Sequence, residues 1–115
     1  IHVIGVKEGT TSQNTADILR QLHNFDVKLY KDHADLYAAL EKDEIDVAID
    51  DELLAKAFVD SYSDMMTIGQ PLSVEPYAIA VCPSNQELLD TLNQGLLNMQ
   101  IEGRINQIVL KNLAK

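Results

Sequence analysis

Gly9-Thr10-Thr11-Ser12 follows directly on the apolar run Val3-Ile4-Gly5-Val6 and leads into residues with helical spacing. A strand that ends in glycine and small hydroxyl residues, then enters a helix, leaves first-turn N–H groups free. With the positive end of the helix dipole they form a corner suited to a carboxylate or a phosphate. Thr10 and Gln13 also stand at capping-box spacing, which supports a helix starting here. Asp50 and Asp51 end a second apolar run, Ile45-Asp46-Val47-Ala48-Ile49. A carboxylate at the C-terminal end of a strand suits a cation. Each feature has a plainer reading: helix capping for Thr10 and Thr11, which is compatible with binding, and an N-cap role for Asp51.

Elsewhere the residue types that do chemistry form no set. His2, His23 and His33 are scattered. His33 stands between Asp32 and Asp35, a pattern that reads as a capped, solvated turn, and no metal-ligand spacing closes around it. No Ser/His/Asp or Cys/His arrangement follows from spacing, so no catalytic residue and no cofactor is expected. Asp43, Glu44 and Asp46 read as solvated residues near a turn; Asp60, Tyr62 and Asp64 read as an exposed helix end, and Arg104 as a surface residue. The single cysteine, Cys82, admits no internal disulfide. At the end of Tyr77-Ala78-Ile79-Ala80-Val81 it reads as a small buried apolar residue rather than a reactive thiol.

The elements that would position these residues alternate. Strands are expected at Val3–Val6, Val27–Tyr30 and Ile45–Ile49. Helices are expected from Ser12 to about Leu22, with Ile18, Leu19 and Leu22 inward, after Asp32 with Leu36, Ala39 and Leu40, and near Glu52–Tyr62. Such alternation predicts a parallel α/β sheet with right-handed crossovers. After Ser63 the rhythm changes. Met66–Ile68 and Val74–Cys82 look extended, with Gly69 and Pro71 between them. Ser84 and Glu87 suggest another capping box, opening a helix with Leu88, Leu92, Leu96 and Met99 on one side. Gly103 ends it, and a final helix carries Ile105, Ile108, Val109 and Leu113.

The chain has 115 residues, one domain's worth, and a formal charge of −9. That charge excludes a nucleic-acid partner, since nothing could neutralise a row of phosphates. No apolar run approaches the roughly 20 residues that span a bilayer. The first residue is Ile, and no signal peptide or lipidation motif is visible, which reads as a mature, trimmed or excised segment.

Four segments together resemble the type 2 periplasmic binding proteins that serve amino-acid ABC transporters. They are Val3–Ser12, Asp46–Leu54, Ser73–Val81 and the closing helix pair around Gly103. The resemblance implies two α/β lobes joined by a hinge, with an amino acid held between them. This chain looks like most of the second lobe (1–72), with a mostly parallel sheet flanked by helices. A returning hinge strand (73–82) with Glu75, Pro76 and Tyr77 would follow, then a C-terminal helix pair (83–115) belonging with the first lobe. The first lobe's sheet, and its arginine for the ligand α-carboxylate, are not in these residues.

The resemblance further implies that Thr10, Thr11 and Ser12 donate hydrogen bonds to the ligand carboxylate, and that Asp51 accepts from the α-ammonium. Asp50–Leu54, Lys31-Asp32-His33 and Glu75-Pro76-Tyr77 look most like glutamate/aspartate binders, although glutamine, cystine and basic amino-acid binders share the frame. The implied protein is an extracytoplasmic, non-enzymatic receptor, periplasmic or at the cell surface, whose partners are a free amino acid and ABC permease subunits. The alternatives are a ligand-sensing domain of a receptor or kinase and a non-catalytic lobe of a cell-wall enzyme. Because the apolar helix pair lacks its cover, a homodimer through the C-terminal helices is also expected.

Overall fold

The computed structural model describes residues 1–112, in two compact units, Ile1–Pro71 and a second beginning at Leu72. The first unit runs β1 (Val3–Lys7), α1 (Thr11–Leu22), β2 (Asp26–Tyr30), α2 (His33–Glu41), β3 (Val47–Ile49) and α3 (Glu52–Val59). Its three strands are parallel in the order β2-β1-β3, with Val3 opposite Asp26 and Ile4 opposite Val47.

Successive side chains of β1 point to opposite faces. Ile4 and Val6 therefore share a core with Ala16 of α1, joined by Phe25, Val27, Val47 and Ile49. The other face holds Leu36, Tyr37, Ala39 and Ile45, with Val3, Ala48 and Phe58 packed against them. Gly5 is what lets α2 come so close. A Cβ there would fall on Ile45 Cδ1 and lie 2.8 Å from Leu36 Cδ1.

Several expectations need correction in this unit. The inner face of α1 is Ser12, Ala16 and half-buried Leu19, whereas Ile18 is 61% exposed and Leu22 is 72% exposed. Small residues let the helix sit tightly on the sheet, and the larger apolar ones stay on its flank. β3 is shorter than expected, with Ile45 buried ahead of it. Asp46 is not merely solvated. Its Oδ2 accepts from the N–H groups of His2 and Val3 at 2.8 and 2.9 Å, which fixes the start of β1. Those backbone donors hold its carboxyl below the usual carboxylate range. Tyr62 packs against the α2-side core rather than lying free at a helix end.

The second unit contains α4 (Gln86–Ile101) and α5 (Arg104–Asn112), separated by Gly103 at φ 73°. That left-handed conformation is one glycine adopts without steric cost. The α4 cap is Asn85, whose side chain accepts from Leu88 N–H at 3.1 Å, so the capping residue lies one position beyond Ser84. Leu92, Met99 and Ile105 are half-buried, while Ile101, Ile108 and Leu110 are more than half exposed. Leu113 lies outside the described residues. Arg104 is exposed, as expected, and pairs with Glu102 at 3.2 Å.

Residues 73–82, read as a strand, belong to no strand, and Cys82 is exposed rather than buried. An apolar run becomes a strand when a neighbouring backbone completes its ladder. Val74 is 93% exposed and Ile79 60%, so this run has no such burial within the described structure.

Candidate functional site

The strand order decides where a ligand would sit. From β1 the chain steps to β2 on one side, then returns past β1 to β3 on the other. In open α/β sheets the crevice at such a switch, outside the carboxyl ends of the strands, is where ligands bind. Here the β1 and β3 ends are Gly9–Ser12 and Asp50-Asp51, so the two candidate sets meet at one edge.

At the β1 end, Gly9 (φ 74°) turns the chain and Thr10 caps α1. Thr10 Oγ1 accepts from Gln13 N–H at 3.3 Å and donates to Lys7 C=O at 2.7 Å. The Gln13 side chain reaches back to Gly9 N–H at 2.8 Å rather than to Thr10 N–H. The capping box thus closes one residue earlier than its usual form, and the Thr10 hydroxyl proton is already engaged. Thr11 is exposed at the first position of α1. Ser12 is 7% exposed and faces the interior. The corner is thus a helix N-terminus with Thr11 at its exposed first position.

At the β3 end the adjacent carboxylates have different environments. The Asp50 side chain is 5% exposed. Its Oδ2 lies 2.9 Å from His33 Nδ1 and accepts from the Tyr37 hydroxyl at 3.2 Å, while Oδ1 accepts from Asp51 N–H at 2.8 Å. Phe58 of α3 stacks on Tyr37 with centroids 4.1 Å apart. Burial first, then the Asp50 charge and the hydrogen bond to it, push the Tyr37 phenol far above its ordinary value, so it stays a donor. Asp51 is half-buried at the N-cap position of α3, yet its side chain makes no capping bond. The plain capping role is unfilled.

The His33–Asp50–Tyr37 cluster was not legible from sequence. His33 opens α2 and is tied to a residue seventeen positions on, not held in a solvated turn. Its one local signal is the i, i+4 spacing of His33 and Tyr37, which sets both on one helix face. Among the described residues no group of three His, Cys, Asp or Glu side chains could hold a metal ion, and no helix is long and apolar enough to cross a membrane. Glu75, Pro76 and Tyr77 fall in the exposed segment of the second unit.

No protein-family model matches the chain. The chain is 28% identical over 109 residues to the ABC transporter glutamine-binding protein GlnH of Bacillus subtilis, covering 95% of this chain and 39% of that protein. It is 29% identical over 107 residues to the L-cystine-binding protein TcyJ of Escherichia coli, covering 91% and 39%. Among solved structures, an ancestral arginine-binding protein superposes with a TM-score of 0.80 in its arginine-bound form and 0.81 in its glutamine-bound form. The identities are 28% and 27%, over 96% and 99% of this chain and 50% and 51% of that one. The chain therefore spans about two fifths of the length of the curated relatives it matches. It is a relative of the solute-binding proteins of amino-acid ABC transporters, with their parallel α/β architecture.

Proposed function

We propose that this chain supplies one lobe's share of an amino-acid receptor of an ABC importer, working in the periplasm or at the cell surface. One observation carries the reading. The N-terminus of α1 and Asp51, whose side chain makes no capping bond, follow neighbouring parallel strands of one sheet. That pairing is complementary to the two ends of an amino-acid zwitterion. The corner takes the α-carboxylate through backbone N–H groups and Thr11, with Thr10 and Ser12 shaping the turn, and Asp51 takes the α-ammonium. The role is binding rather than catalysis: the companion lobe closes over the ligand by hinge motion through Glu75-Pro76-Tyr77, and the closed receptor hands the amino acid to permease subunits.

The ligand is a polar amino acid. Glutamine is the first to test, because GlnH is named for it and the ancestral neighbour has been solved with it. The glutamate/aspartate preference read from the sequence has no counterpart among those relatives, so both belong in the same titration. Calorimetry on these 115 residues alone should give a Kd weaker than about 1 μM, corresponding to roughly −8 kcal/mol, because half the site lies in the companion lobe. Submicromolar binding by the isolated chain would rule out a half-site. No binding by the complete two-lobed protein would overturn the receptor reading.

On its own, the chain is further expected to pair through α4 and α5. Leu97 (49% exposed), Ile101 (76%), Ile108 (51%) and Leu110 (67%) leave these helices with open apolar sides. A second copy would cover them where the companion lobe is missing. Sedimentation velocity over a concentration series measures this. A clean monomer at high micromolar concentration would exclude it.

A further inference from the structure

We infer that His33 and Tyr37 are positioning residues for the ligand-binding carboxylate, acting through Asp50. This rests on the reading of Asp51 as the ammonium partner. Asp51 sits at the N-cap of α3 but makes no capping bond, so nothing local to its side chain fixes where that carboxylate stands. What fixes it is its own backbone, and the Asp51 N–H is held by Asp50 Oδ1 at 2.8 Å. Asp50 is in turn immobilised at its other oxygen, where His33 Nδ1 and the Tyr37 hydroxyl converge on Oδ2 at 2.9 and 3.2 Å.

The two donors come from one face of α2, and the acceptor follows β3, so the cluster ties α2 to the end of β3. Phe58 closes it from α3, stacked at 7° on Tyr37 and tilted against His33 at 6.5 Å. A carboxylate is an acceptor only, so His33 must carry its proton on Nδ1 for this contact to be favourable. With both donors in place, every Asp50 oxygen is satisfied and has one orientation. A nearly closed-over carboxylate that lost a donor would turn toward whatever replaced it and release Asp51 N–H. The network would then be the device that pre-organises the cation half of the site before ligand arrives.

Three variants separate positioning from mere stability. Tyr37→Phe removes the hydroxyl and keeps the stacked ring. His33→Leu removes the donor. His33→Asn places an amide N–H near the Nδ1 position and serves as the conservative rescue. Amide hydrogen exchange on the unliganded chain should show Asp51 exchanging roughly tenfold faster in Tyr37→Phe and His33→Leu, with Val6 in β1 unchanged and His33→Asn near wild type. In the two-lobed protein the first two should weaken glutamine binding roughly tenfold, the third by less than about threefold.

Unchanged exchange at Asp51 would overturn the inference, as would faster exchange with undiminished affinity. Equal acceleration at Val6 would overturn it too, because the cluster would then only support the fold. If the wild-type protein bound no amino acid at all, the receptor reading would fail, and the exchange result would still decide whether the cluster fixes Asp51.

Discussion

Asp51→Asn in the two-lobed receptor is expected to lower amino-acid affinity by about 3–5 kcal/mol, roughly two to four orders of magnitude, with almost no change in folding stability. The first half follows from the proposed role of Asp51: the substitution would remove one partner of an ion pair that lobe closure takes out of water and leave the ammonium without its counter-charge. The second half follows from the geometry of α3. The Asp51 side chain makes no cap bond, so the helix loses no hydrogen bond when the charge goes. Stability should stay within about 0.5 kcal/mol of wild type in urea titrations. The neighbouring Asp50→Ala should cost folding stability as well as the placement of Asp51. It strands His33, the Tyr37 hydroxyl and the Asp51 N–H, all of which it now satisfies, and so lowers stability directly. Comparable small affinity losses for Asp51→Asn and a remote surface substitution would reduce Asp51 to a structural residue.

Leu36→Ala should destabilise the first unit by about 2–5 kcal/mol. Leu36 is fully buried, and its Cδ1 lies against the bare backbone of Gly5, in the gap where α2 approaches β1 most closely. Ile45 Cδ1 and the Tyr30 ring share that space, so the deleted atoms belong to a packed core rather than to a surface groove. That loss is a large share of the stability of a unit this small. The urea midpoint should fall with its slope unchanged. A matched Leu97→Ala on α4, where the side chain is 49% exposed, should stay within about 0.5 kcal/mol. Equal effects at the two positions would mean that the α2-side core is not the stabilising one.

Where residues signal through their own neighbours, the sequence is readable. The Gly9-Thr10 turn, the α1 start, the Asp32 cap and the Gly103 stop are all local, and all stand where the residue types require. Strand alternation is also visible, since Val3–Lys7 must bury apolar side chains on both faces. Readability fails where the deciding partner is distant. Ile18 and Leu22 fit an apolar stripe, but the sheet accepts the small Ser12 and Ala16 face because only small residues allow close approach. The apolar run ending at Cys82 looks like a buried strand on composition alone, and burial depends on a neighbour that composition does not name. The site divides in the same way. The corner at Thr10 is local, whereas the burial of Asp50 rather than Asp51 depends on His33 and Tyr37.

Of the three strands, β1 alone is bonded along both edges, while β2 and β3 each have one outer edge. β1 is thus held through two separate seams, one to each outer strand. A molecule held between the ends of β1 and β3 spans one of those seams and not the other. The protection it confers would then be lopsided, strong across the β1–β3 seam and faint at β2. Saturation would raise the melting point of the whole only as far as its unclamped half allows.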